Sequence, residues 1–177
     1  MDGTGTQSAD LGQVLDRTEF AINEYQGYLA DNGIEEVGQE NLDEFTGFMV
    51  TMMNVDPRFY DETLGVDLMQ DATFLGYADT NANGVKDAGE DKVFTVEIDE
   101  ENQRLIATDV AGNSSGLRFS ATGFLAGALI GNLISRQRSA GVSKASFNNR
   151  NVTPRSSYRP PSSARTRARS GGVGVGK

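Results

Sequence analysis

Acidic residues stop at Asp109. All 25 lie between Asp2 and that position, where only Arg17, Arg58, Lys86, Lys92 and Arg104 oppose them, giving this part of the chain a net charge of −20. From Val110 to Lys177 there are eleven Lys or Arg and no acid. Blocks of like charge repel themselves and commonly serve as interaction segments. The division reads as an acidic head over residues 1–112, an apolar segment over 113–139 and a basic tail over 140–177. Roughly 110 residues are enough to bury a self-sufficient core. The head repels nucleic acid and anionic lipid, the tail attracts both, and a contact between the tail and a neighbouring head is equally allowed.

The chain has no cysteine and no histidine. That removes disulfides, thiolate metal sites, Ser-His and Cys-His catalysis and nearly all protein zinc sites. Carboxylate pairs such as Asp43/Glu44 and Glu100/Glu101 arise by composition alone among so many acids. Gly171–Lys177 has glycines and a lysine but no Ser or Thr after them, so it is not a phosphate-binding loop. The expectation is a non-enzymatic protein. Met1–Asp10 is polar and glycine-rich with no leader-like pattern, so the chain as written is expected to be made in the cytoplasm, with membrane association open to it.

Helical periodicity dominates the first half. Leu11, Val14, Leu15, Thr18, Ala21, Ile22, Tyr25, Tyr28 and Leu29 share one face, and Asn32-Gly33 supplies a stop. A second helix is expected from Asn41, which can cap it while Glu44 reaches back, with Leu42, Phe45, Phe48, Met49, Met52 and Met53 as its apolar set. Asp56-Pro57 reads as cap plus first-turn proline of a third, shorter helix through Phe59, Tyr60, Leu64 and Leu68. After Asp71 the period changes. Thr73–Ala78 is strand-like, Val93–Ile98 alternates, Glu100–Gln103 is a polar turn and Arg104–Val110 reads as a return strand. The expected fold class is α+β: three N-terminal helices packed on a small three-stranded antiparallel β-meander, then a glycine-zipper segment and a disordered basic tail.

Between the first two strand-like runs lies Asp79-Thr-Asn81-Ala-Asn83-Gly84-Val85-Lys-Asp87-Ala-Gly-Glu90, which fills the calcium-loop template D-x-[DN]-x-[DN]-G-x5-E. Calcium requires hard oxygen ligands at alternate positions, a glycine at the sharp turn and a terminal bidentate carboxylate. Asp79, Asn81 and Asn83 offer side-chain oxygens, Val85 its carbonyl, Asp87 a direct or water-bridged contact, and Glu90 the clamp; Asp91 is an alternative clamp. The segment resembles the calcium loops of EF-hand, dockerin and thrombospondin type 3 proteins and of Gram-positive surface B-type repeats. Lys86 stands where the EF-hand has an aliphatic residue, and a strand follows Glu90 where that family has a helix. The resemblance therefore implies a structural calcium (Ca2+) site between two strands. The competing reading is a plain hairpin turn at Asn83-Gly84.

Gly123, Gly127 and Gly131 stand four apart in the apolar run Ala121–Ile134, the spacing that lets two helices approach closely. Fourteen residues make only about 21 Å of helix, short of the roughly 30 Å hydrocarbon core. The run suits a self-assembly helix, an interfacial segment or a helix covering the head's sheet, and Arg136 and Arg138 after it suit lipid headgroups. Arg155, Arg159, Arg165, Arg167 and Arg169, with Tyr158 among them, can bind phosphate by charge with some stacking. The apolar glycine-rich segment, the Arg/Ser tail and Gly171–Lys177 together resemble the YgiB type of bacterial envelope proteins, which implies envelope association. The expectation is a calcium-stabilised interaction protein whose partner is an anionic membrane surface or another copy of itself. The alternative is a nucleic-acid-associated protein.

Overall fold

A computed structural model describes residues 9–56, 58–83, 85–118, 127–142, 147 and 152–155. Among the described residues there are three helices, α1 (Leu11–Asp31), α2 (Gln39–Asn54) and α3 (Ala128–Ser139), and six strands. The strands are β1 (Leu64–Leu68), β2 (Phe74–Ala78), β3 (Lys92–Asp99), β4 (Arg104–Asp109), β5 (Ser114–Arg118) and β6 (Thr153–Pro154). They form one sheet in sequence order; β6 runs parallel to β5 and every other pair is antiparallel.

Helix α1 begins where the Asp10 carboxylate accepts the Gln13 N–H at 3.3 Å, and it ends at Asn32 and Gly33, whose φ of 67° suits glycine. Its buried stripe from Leu11 to Leu29 meets α2 and lies over β4 and β5. In α2, Gly38 is the cap and Asn41 is the third helical residue, whose Oδ1 accepts the Gly38 N–H at 3.0 Å. The helix therefore starts two residues before the expected cap. Phe45 centres the interface between layers, 5.5 Å from the Tyr25 ring and 5.7 Å, edge-on, from Phe74 of β2. Arg17 of α1 closes the far end of α2 by donating to the Met52 and Val55 carbonyls at 3.0 and 2.9 Å, with Phe59 under its guanidinium.

The expected fold is corrected in two places. The third N-terminal helix does not form: Leu64–Leu68 is strand β1. The Asn54 amide at the end of α2 pairs with Leu64 as a strand neighbour would, giving its Nδ2 to the Leu64 carbonyl and accepting the Leu64 N–H, both at 2.8 Å. Leu64 and Leu68 fit a helical spacing, but Asn54 and the pairing with β2 hold them extended. Nor is the meander three-stranded. It continues through Asp109 into β5, a strand of weak propensity held by its register with β4.

The expected glycine zipper falls partly outside the described residues. Gly127 is the cap of α3 with ψ 153°, so it is not inside a helix with Gly131, and Gly123 lies outside the described residues. Gln26 of α1 sets this start: its Oε1 accepts the Ile130 N–H at 3.1 Å, and a Cβ at Gly127 would run into the Gln26 amide. Helix α3 turns Leu129, Ile130, Leu133 and Ile134 into the common core. Gly131 is exposed with open space where a Cβ would stand. Gly131→Ala is accordingly expected to raise stability by up to about 1 kcal/mol in a thermal melt, through helix propensity alone. A close-packed glycine at that position would give the opposite sign.

The expected disorder beyond residue 140 falls mostly outside the described residues. Where described, the chain is attached: Phe147 is buried with its carbonyl 3.3 Å from Arg104 Nη2, and Thr153–Pro154 pairs with β5.

Each antiparallel hairpin connection contains an aspartate whose carboxylate accepts bonds from the turn. Asp71 accepts the Thr73 N–H at 3.1 Å in the β1–β2 turn. Asp99 accepts from the Asn102 N–H and amide and from Arg104 Nε, the last at 2.7 Å. Asp109 accepts the N–H groups of Ala111 and Asn113 and the Asn113 amide between 2.9 and 3.1 Å. Short acidic side chains imitate a backbone turn in this way. The β2–β3 connection is the longest, and it is the candidate site.

Candidate metal centre in the β2–β3 loop

Asp79 and Glu90 bracket the loop from inside the protein, at 3% and 8% exposure, whereas Asn81, Asn83 and Val85 face solvent. The ladder of β2 and β3 runs to the edge of the loop, with Ala78 N–H on the Asp91 carbonyl at 2.9 Å. On the other side the Asp79 N–H bonds the Thr63 carbonyl at 2.9 Å. The first and last ligand positions are thus set by sheet pairing, and Asp91, the alternative clamp, is exposed and contributes a carbonyl to the ladder. Gly84 lies outside the described residues.

Four of the candidate side chains are linked to one another. Asp87 Oδ2 accepts both the Asn81 and Asn83 amides at 2.8 Å. The Asn83 N–H is shared between Asp79 Oδ1 and Asn81 Oδ1 at 3.2 and 3.3 Å. Asn83 Oδ1 accepts the Val85 N–H at 3.0 Å, while the Val85 side chain points outward at 60% exposure. Glu90 closes the loop with both oxygens: Oε1 accepts the Asp87 N–H at 2.8 Å and Oε2 accepts the Thr80 N–H at 3.0 Å. Ala82 adopts φ 56° to make the tight bend.

Among the described residues no three carboxylates stand close enough together to form a ready metal cage. The donors are instead mixed: three carboxylates and two amide oxygens around one loop, all hard oxygens of the kind calcium takes. The amides that donate to Asp87 occupy lone pairs a cation would use, so binding requires Asn81 and Asn83 to rotate.

An orphaned atom completes the picture. The Tyr77 hydroxyl is buried, in a side chain of 0% exposure, and has no hydrogen-bond partner. Tyr77 lies across β1 with its ring over Gly65, where a Cβ would strike it. Burial, followed by the charges of Asp67, Asp79, Glu90 and Asp87, pushes its phenol up to about 12. A buried unpaired hydroxyl costs about 1–3 kcal/mol, a standing penalty that a water reaching it would offset. Sequence reading singles out the candidate loop positions but not Tyr77, Thr80 or Asp67. Only the alternation of β2, which puts Tyr77 on the sheet face opposite Phe74, hints at the first of these.

Comparison of the chain with protein-family models, curated proteins and solved structures finds no match. Among the described residues no helix is long and apolar enough to cross a membrane.

Proposed function

We propose that this is a non-catalytic, calcium-stabilised interaction protein, in which residues 79–90 hold Ca2+ and the arginine-rich C-terminal segment supplies charge-driven attachment to an anionic membrane surface. The observation that carries the metal reading is the gathering of Asp79, Asn81, Asn83 and Asp87 round one loop closed by Glu90. Calcium there neutralises part of the loop's negative charge and stiffens the longest connection of the meander. The attachment reading is supported by the change of charge sign after Asp109.

Calorimetric titration of the full chain with Ca2+ is expected to show one saturable site, with the melting temperature rising on saturation. At a free concentration 100 times Kd the stabilisation is about 2.7 kcal/mol. Glu90→Gln is expected to abolish both effects. The bound cation also removes part of the negative field on Tyr77, so its absorbance titration moves below about 12; Tyr77→Phe deletes that component and identifies it. No heat at millimolar Ca2+, with an unmoved tyrosine titration, reduces the loop to a self-bonded hairpin connection. Co-sedimentation of the full chain with anionic and not neutral vesicles tests the attachment. A steeply salt-dependent preference for RNA or DNA over those vesicles would assign the segment to nucleic acid instead.

A further inference from the structure

The outer surface of the helical layer carries a groove of about 300 Å³ between α1 and α2, lined by Glu24, Tyr25, Tyr28, Glu44 and Phe48. Two carboxylates among aromatic rings suit a planar cation, which gains an ion pair and a ring face together. The Tyr25 hydroxyl donates to Glu44 Oε1 at 2.7 Å and fixes that carboxylate on the groove wall. Among the described residues no ion pair forms at Glu24 or Glu44. Tyr28 is 44% exposed and Phe20, one turn before Glu24, is 48% exposed, both high for large aromatic side chains.

A cationic segment reaches the same helix about two turns before this groove. The Arg155 guanidinium is paired with both oxygens of Asp16 on α1. From Asp16, the positions Phe20, Glu24 and Tyr28 follow at four-residue steps, each turned about 40° further round the helix, so they form a strip climbing toward α2. Asp16 and Glu24 are eight residues and about 12 Å apart along the axis. The four residues from Arg155 to Arg159 span up to about 14 Å when extended. Arg159, and Arg165, Arg167 and Arg169 after it, are therefore within reach, and no acid accompanies them.

We propose that the α1/α2 groove is the intramolecular receptor for the arginine-rich stretch 156–169 of the same chain, with an arginine between Glu24 and Glu44 against Tyr28. Occupancy withdraws those arginines from anionic surfaces, so the groove governs how readily the segment is released to a partner. This goes beyond the calcium reading and does not depend on it.

The absence of cysteine allows a clean test. A spin label on Ser170→Cys in the isotope-labelled full chain is expected to broaden the resonances of Tyr28 and Phe48. It should spare Thr95 and Glu97 on the opposite sheet face. Broadening should be lost with Glu24→Lys plus Glu44→Lys. It should be lost equally with Arg159→Ala, Arg165→Ala and Arg167→Ala together, changes outside the head that leave its core intact. It should fade near 1 M salt, where the Debye length is about 3 Å. Groove broadening no greater than at Thr95 overturns the proposal. So does broadening that appears only when spin-labelled and isotope-labelled chains are mixed, which would place a second copy's segment there. Repeating the measurement with a calcium chelator separates this result from the fate of the loop site.

Discussion

Replacing Asp99 by alanine is expected to destabilise the folded chain by about 3 kcal/mol, the cost of breaking a buried ion pair from one side. Asp99 ends β3 with a side chain of 0% exposure, and its carboxylate takes Arg104 Nε at 2.7 Å together with the N–H and amide of Asn102. Arg104 in turn donates to the Phe147 carbonyl at 3.3 Å, so the same carboxylate fixes the β3–β4 turn and one later anchor of the chain. Asp99→Asn keeps an acceptor for the Asn102 N–H and loses the charge that holds Arg104, so its cost should be about half as large. Urea unfolding of the full chain, with a cycle that includes Arg104→Ala, should show coupling well above about 0.5 kcal/mol. Equal small losses for Asp99→Ala and Asp99→Asn would mean that the turn forms without the pair.

The contrast with what the sequence discloses is physical. Helices α1 and α2 are legible because their apolar residues recur at 3 and 4 positions, a signal each helix carries within itself. The alternation of Val93–Ile98 and the return strand from Arg104 are local in the same sense. Strand β1 is not: Leu64 and Leu68 fit a helical spacing, and they are held extended by the Asn54 amide and by β2. The start of α3 depends on Gln26, 104 residues away from Ile130. A glycine register visible in the sequence is therefore cut at Gly127. At the candidate metal centre, the six ligand positions Asp79, Asn81, Asn83, Val85, Asp87 and Glu90 are legible as a pattern. Their geometry is not. That Asp79 and Glu90 are buried while Val85 points outward follows from where the β2–β3 ladder stops.

Gly76→Val is expected to cost about 3 kcal/mol, because the sheet uses glycine to seat an aromatic ring. Gly76 pairs with Phe94 across β2 and β3, and a Cβ at Gly76 would stand inside the Phe94 ring, which is itself fully buried. The ring has little room to swing aside, because Phe94 is buried in the same core as Val96 and Phe74. Overpacking of this kind costs about 1–3 kcal/mol, and the second branch of valine takes it to the upper end. Gly65 stands in the same relation to Tyr77 one strand over, so the two glycines seat one ring on each face of β2. Shrinking the partner should return part of the loss: Gly76→Val with Phe94→Leu is expected to be less destabilised than the two single changes added together. Strict additivity would show that the ring does not fill the space above Gly76. The seat of Tyr77 can then be tested by the same logic, since Gly65→Ala would shift its hydroxyl relative to Asp79 and Glu90 and alter the tyrosine titration that reports on the loop.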